Sequence, residues 1–226
     1  MDNPKRTQTE YPDRTVSRRA AIGFAMTSLS VVLIVLLTLC SYGNPLRSGD
    51  TTCAPCYCDA EHTLHSCREL EVLHLDTLDL SNKGIERIRK DAFKGLGSLS
   101  ELDLHGNAIT SIEAGTFEGL GSLTELYLED NDITSIEAGT FEGLGSLTEL
   151  DLSDNAITNI EAGAFEGLDS LYELSLSNNA ITSIKVGTFQ GLSSLTELWL
   201  GGNAITSIEA GTFEGLDSLT FLSLFE

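Results

Sequence analysis

A single 24-residue unit recurs through the second two-thirds of this chain, and few folds accommodate that. Leu75, Leu99, Leu123, Leu147, Leu171, Leu195 and Leu219 stand 24 positions apart, and each opens a Leu-x-x-Leu-x-Leu string. The string Ile-Thr-Ser-Ile-Glu-Ala-Gly-Thr-Phe-Glu-Gly-Leu occurs unchanged at 109–120, 133–144 and 205–216. A fixed period of this length marks a solenoid, in which each unit buries its apolar side against its neighbours. Within a unit, Leu102 and Leu104 alternate with polar residues, which is the period of a strand. Stacking the units lines these strands into one parallel sheet at about 4.8 Å spacing. Ile109, Ile112, Phe117 and Leu120 then point inward from the segment that returns over the other side. One unit cannot offset the conformational entropy of ordering itself, so stacking is obligatory.

Two further columns read as frame. Asn107, Asn131, Asn155, Asn179 and Asn203 recur at the turn out of the strand. An amide both donates and accepts, so it can bridge adjacent coils. Lys83 stands at the corresponding place in the first unit, where the ladder should be missing. Phe93, Phe117, Phe141, Phe165, Phe189 and Phe213 form a second column that is expected in the core.

Residues 1–19 are polar and read as a short cytoplasmic tail. Ala20–Cys40 is an uncharged apolar run behind Arg18 and Arg19. Basic flanks hold the near end in the cytoplasm, so the chain beyond is expected to be exported. The run is long enough for a signal-anchor; the alternative is a signal peptide cut after Gly43. Residues 20–43 therefore form the targeting segment and 44–52 a linker. The repeats are expected at the cell surface in a single-pass protein, or secreted. Four cysteines follow as Cys53-x2-Cys56-x-Cys58-x8-Cys67. In an exported chain they read as two disulfides, with three pairings open. Zinc held with His62 and His65 is the rival reading. Residues 53–74 should cap the apolar end of the solenoid formed by 75–226.

The repeats resemble the typical extracellular class of leucine-rich repeats. That class includes Toll-like receptors, Slit proteins, small leucine-rich proteoglycans and lamprey variable lymphocyte receptors. The matching pattern is Leu-x-x-Leu-x-Leu-x-x-Asn-x-Ile-x-x-Ile-x4-Phe-x-Gly-Leu-x-x-Leu over 75–226, and the cysteine cluster is similar to the family's N-terminal cap. The resemblance implies an α/β horseshoe with a parallel concave sheet and a mostly irregular or short-helical convex side. It implies pairing Cys53–Cys58 and Cys56–Cys67, and protein partners on the concave face. Members usually end in a second cysteine-rich cap, and no such cluster follows the repeats here. Leu219, Leu222 and Leu224 open a seventh unit beside Phe221 and Phe225, so an apolar end open to self-association is expected.

Charge and variation locate the candidate site. The net charge is −21; residues 44–226 hold 31 acidic and eight basic side chains. Such a surface repels nucleic acid and attracts basic proteins or cations. Glu101, Glu125, Glu149, Glu173 and Glu197 form one uniform column on the strands. The next columns vary: Asp79, Asp103, Tyr127, Asp151, Ser175 and Trp199, then Ser81, His105, Glu129, Ser153, Ser177 and Gly201. The return segments, by contrast, are near copies; Thr140, among them, is expected to be exposed and inert. Glu101, Asp103, His105, Glu125, Tyr127, Glu129, Glu149, Asp151, Tyr172, Glu173, Glu197 and Trp199 are the expected partner-binding set. The aromatics supply anchors, because such side chains concentrate binding energy. Five basic residues, Lys83, Arg87, Arg89, Lys90 and Lys94, form a separate patch off the strand face. No nucleophile elbow, phosphate loop or His-Glu-x-x-His occurs, so an enzyme is not expected and no cofactor is implied. The readings that remain are a recognition or adhesion module, a secreted matrix-organising protein, and a cation-binding structural protein.

Overall fold

The computed structural model describes residues 56–67 and 74–224, all within the unit Pro45–Glu226. The targeting segment at 20–43 and the tail before it lie outside the described residues, as do Cys53 and Phe225.

The first sheet belongs to the cap. Strands β1 (Tyr57–Cys58) and β2 (Thr63–Ser66) pair antiparallel. The repeats then contribute β3 (Thr77–Asp79), β4 (Arg87–Ile88), β5 (Glu101–Asp103), β6 (Glu125–Tyr127), β7 (Ser135–Ile136), β8 (Glu149–Asp151) and β9 (Asn159–Ile160). β10 (Glu173–Ser175), β11 (Ser183–Ile184), β12 (Glu197–Trp199), β13 (Ser207–Ile208) and β14 (Phe221–Ser223) complete the series. The main sheet is seven-stranded and parallel, in the order β14-β12-β10-β8-β6-β5-β3. Its register is an unbroken shift of one repeat, so that Glu101 faces Glu125 and Leu102 faces Leu126. On the return side, β7 pairs with β9 and β11 with β13, each over only two residues. Turns fill the rest, and no helix occurs among the described residues. The α component expected of an α/β solenoid is therefore absent there. Glycines at positive φ, such as Gly115 and Gly119, break each return segment before a helix can propagate.

The inward columns form the core. Leu102, Leu126, Leu150, Leu174 and Leu198 are fully buried, as are Phe117, Phe141 and Phe165. The six phenylalanines stack as one spine from Phe93 to Phe213, with centroids 5.9–6.2 Å apart. Thr140 is also buried, donating its hydroxyl to the Glu137 carbonyl. It is a frame residue and cannot serve as the inert surface position expected of it. Where the strand ends, each coil turns through a left-handed residue: Asn82, Gly106, Asp130, Asp154, Asn178 and Gly202. Only Gly, Asn and Asp visit that region readily, which explains a column the periodicity alone left unread.

The asparagine ladder bridges the coils as expected and begins at Asn107. Asn131 Oδ1 accepts from the Ile109 N–H of the preceding coil at 3.0 Å. Its Nδ2 donates back to Leu104 at 3.1 Å and to Leu128 in its own coil at 3.1 Å. Asn107, Asn155, Asn179 and Asn203 repeat the arrangement.

At the N-terminal side, β2 pairs in parallel with β4, so the cap sits on the return side of the first repeat. Cys56 is bonded to Cys67, and Cys58 is also in a disulfide. Three of the four clustered thiols are thus oxidised, which removes the thiolates that the zinc reading required. At the other side burial fades. Ile208, Phe221 and Leu222 are 36–40% exposed, where their counterparts in earlier coils are buried or replaced by polar residues. Ile205, Ile208 and Leu224 line a cleft of about 210 Å³ there.

Two outcomes follow. Asn131→Ala strands an N–H and two buried carbonyls, at about 1–3 kcal/mol for each group left unpaired; denaturant titration should show a loss of at least ~2 kcal/mol. Amide exchange should be slowest between Leu99 and Leu200 and fastest over 205–224. Uniform protection through Leu224 would contradict the burial gradient.

Candidate functional site

The parallel register turns a sequence column into a physical stripe. Glu101, Glu125, Glu149, Glu173 and Glu197 are consecutive Cα partners across five strands, and each is half-buried on the solvent face of the main sheet. At about 5 Å, two such charges repel by roughly 0.8 kcal/mol even at the dielectric of water. Burial, and then the neighbours Glu173 and Glu125, push Glu149 above the ordinary glutamate range. Burial and Glu197 do the same to Glu173. The end members Glu101 and Glu197 each have a single stripe neighbour.

The adjoining columns fall on the same face. Tyr127 donates its hydroxyl to Glu125 Oε2 at 2.9 Å; burial and then that bond drive its own ionisation far above the ordinary range. Asp103 accepts from His105 Nδ1 at 2.8 Å, and His105 Nε2 lies 3.0 Å from Asn82 Nδ2. The bond to Asp103 raises the His105 pKa, with Asp103, Glu129 and Asp79 adding to it. Burial raises Glu129, whose Oε2 has no hydrogen-bond partner. Asp151 accepts from the Ser153 backbone and hydroxyl. Trp199 packs against Phe221 with centroids 4.3 Å apart. Tyr172 is 52% exposed at the entry to β10, beside the stripe. The structure thus brings all twelve expected residues to one face of the main sheet or its margin. It adds Phe221, which takes the glutamate place on β14.

The basic patch lies elsewhere. Arg87 and Arg89 flank buried Ile88 on β4, beside the cap. Arg87 stands 3.8 Å from Glu61 and Arg89 3.3 Å from His65, so neighbouring cap residues already engage part of the patch. Among the described residues no group of three or more His, Cys, Asp or Glu has metal-binding geometry.

A leucine-rich-repeat family model matches residues 73–133, 122–181 and 169–226. The chain belongs to the leucine-rich-repeat family, whose fold is a non-catalytic binding scaffold. Among solved structures, it is similar to the crystal structure of the TLR13–ssRNA13 complex, at 27% identity and a TM-score of 0.55. The likeness covers 72% of this chain but 28% of that one, so this chain spans under a third of its relative's length. Comparison with curated proteins returns no match.

The shifts set a pH dependence. Glu129, Glu149 and Glu173 bind protons more tightly folded than unfolded, so stability falls as pH rises through their folded pKa values. His105, also raised, contributes stability that is likewise lost as pH rises. Asp59, lowered to about 2 chiefly by its hydrogen bond to His65, acts oppositely. So does Asp79: burial opposes its ionisation, but the Ser81 hydroxyl and backbone N–H outweigh that and lower its pKa. Their contribution is lost as pH falls through their folded values. Tm should therefore peak in mild acid and decline toward pH 8. Glu149→Gln should raise Tm at neutral pH by about 1–2 °C, the scale of a screened surface interaction in a protein of this size. A lower Tm for Glu149→Gln would show that the stripe is not self-repelling.

Proposed function

We propose that the solvent face of the main sheet binds a protein partner with a basic surface, and that the chain is a recognition or adhesion module displayed outside the cell. The observation that carries this reading is the placement of variation. The residues that differ between repeats, Asp103, Tyr127, Asp151 and Trp199 among them, stand on the outward side of strands whose inward leucines never change. A frame that only had to fold would leave both outer sides equally free to vary. A glutamate row with no Lys or Arg on its own face is relieved by a cationic ligand. The TLR13 relative was solved with ssRNA13, but a phosphate backbone would be repelled by this stripe. Display at the cell surface rests on the apolar run and its basic flank; the cap disulfides favour an oxidising compartment.

The test compares charge-matched variants. Extracellular proteins binding the full-length chain are selected, then measured against Glu149→Lys and Glu142→Lys. Both change the charge equally; Glu142 is exposed on the return side. Glu149→Lys should slow association by about tenfold or more at low salt, and less at high salt. Trp199→Ala should cost at least ~2 kcal/mol, the scale of a hot spot. Equal effects of the two lysine variants would overturn the assignment of the sheet face.

A further inference from the structure

The stripe changes character at β12 and β14. In the glutamate column the sequence of side chains runs Glu173, Glu197, Phe221; in the next it runs Ser175, Trp199, Ser223. Trp199 lies between two small serines, and among the described residues its only ring neighbour is Phe221, tilted by 44° at 4.3 Å. Phe221 is 40% exposed. Glu197 is the Cα partner of both Glu173 and Phe221, so the aromatic pair abuts two carboxylates. Burial and Glu197 hold Glu173 above its ordinary range, and the approach of the Trp199 indole offsets this only in part. The indole N–H itself is buried and directed at the Glu173 carboxylate, whose ionised form it favours, without closing to full hydrogen-bond geometry. No Lys or Arg occupies any of the three outward columns.

Those features define complementary chemistry. An aromatic face attracts a cation, Arg more often than Lys, and tryptophan is the strongest such face. Adjacent carboxylates match the fork of a guanidinium. We propose that Trp199, Phe221, Glu173 and Glu197 form a receptor for one arginine side chain of a bound polypeptide. This rests on the reading of the sheet face as a surface for basic partners, and assigns the position where such a partner is anchored.

Trp199 is the only tryptophan in the chain, so its fluorescence reports on this spot alone. The full-length protein is titrated with acetyl-Gly-Gly-Arg-Gly-Gly-amide and with the same peptide carrying citrulline, which keeps the shape and removes the charge. The arginine peptide should give a saturable change, and the citrulline peptide should bind about tenfold more weakly, a difference of about 1.4 kcal/mol. Glu197→Gln should weaken the arginine peptide several-fold, while Glu101→Gln, at the far end of the stripe, should weaken it much less. Phe221→Leu should weaken it also; because that change touches the last strand, the two peptides on the native protein decide the matter. No saturable change, or equal binding of both peptides, overturns the proposal. Equal losses for Glu101→Gln and Glu197→Gln also overturn it, since the stripe would then attract cations without a local receptor. The sheet-face reading would survive that result; its own failure is read separately, from equal effects of Glu149→Lys and Glu142→Lys on a protein partner.

Discussion

One asparagine amide per coil carries the coupling on which the rest of this molecule depends. A coil of 24 residues has too little apolar area to stand alone, so it must be completed by the next. The leucine and phenylalanine columns supply the burial, but burial is non-directional. The amide supplies the register. Asn131 accepts from Ile109 and donates to Leu104 and Leu128, so it ties backbone groups in two coils at once. A slip of one residue between coils would leave these groups unpaired in a buried place. The same register carries the glutamates into line and fixes the position of Trp199. The recognition surface is therefore a consequence of the frame's hydrogen bonding.

The frame was legible because its causes are periodic. Leu102 and its counterparts announce the strand, Asn107 and its counterparts the bridge, and Phe117 and its counterparts the spine. Each repeats at one spacing, and one physical need explains each. Where legibility failed, the cause was local. Thr140 reads as a polar surface residue, yet its hydroxyl is satisfied within its own turn, by Glu137, which permits full burial. The return side reads as a possible short helix, but glycines at positive φ interrupt it. The column from Asn82 to Gly202 went unread because it is defined by backbone conformation, and three residue types satisfy that conformation equally.

The candidate site was legible in its membership but not in its pairing. Alternation places Asp103, Tyr127 and Trp199 outward without any structure. What the sequence could not show is which outward groups engage each other. His105 lies two residues beyond Asp103, a spacing that in a strand puts both on one side, and the two are bonded at 2.8 Å. Tyr127 and Glu125 stand in the same relation. Phe221 was read as part of an open end because it follows the last complete repeat. In the sheet it occupies the glutamate column, and its ring lies against Trp199.

The carboxylate stripe sets the balance between folding and recognition. A fold under selection for stability alone would gain from replacing alternate glutamates with glutamine or lysine, because each neighbour pair repels. The cost is tolerable because it is small beside a core of buried leucines, each worth on the order of 1.5–3 kcal/mol. Solvent screening reduces the repulsion further at the exposed ends of the side chains. The stripe thus stores an unfavourable interaction on a frame rigid enough to hold it, and a cationic partner would relieve it. The aromatic pair at one end then gives that attraction a direction. Electrostatics alone would let a basic ligand slide along five equivalent carboxylates. A ring face beside two of them makes one position unlike the others and so can fix the register of what binds.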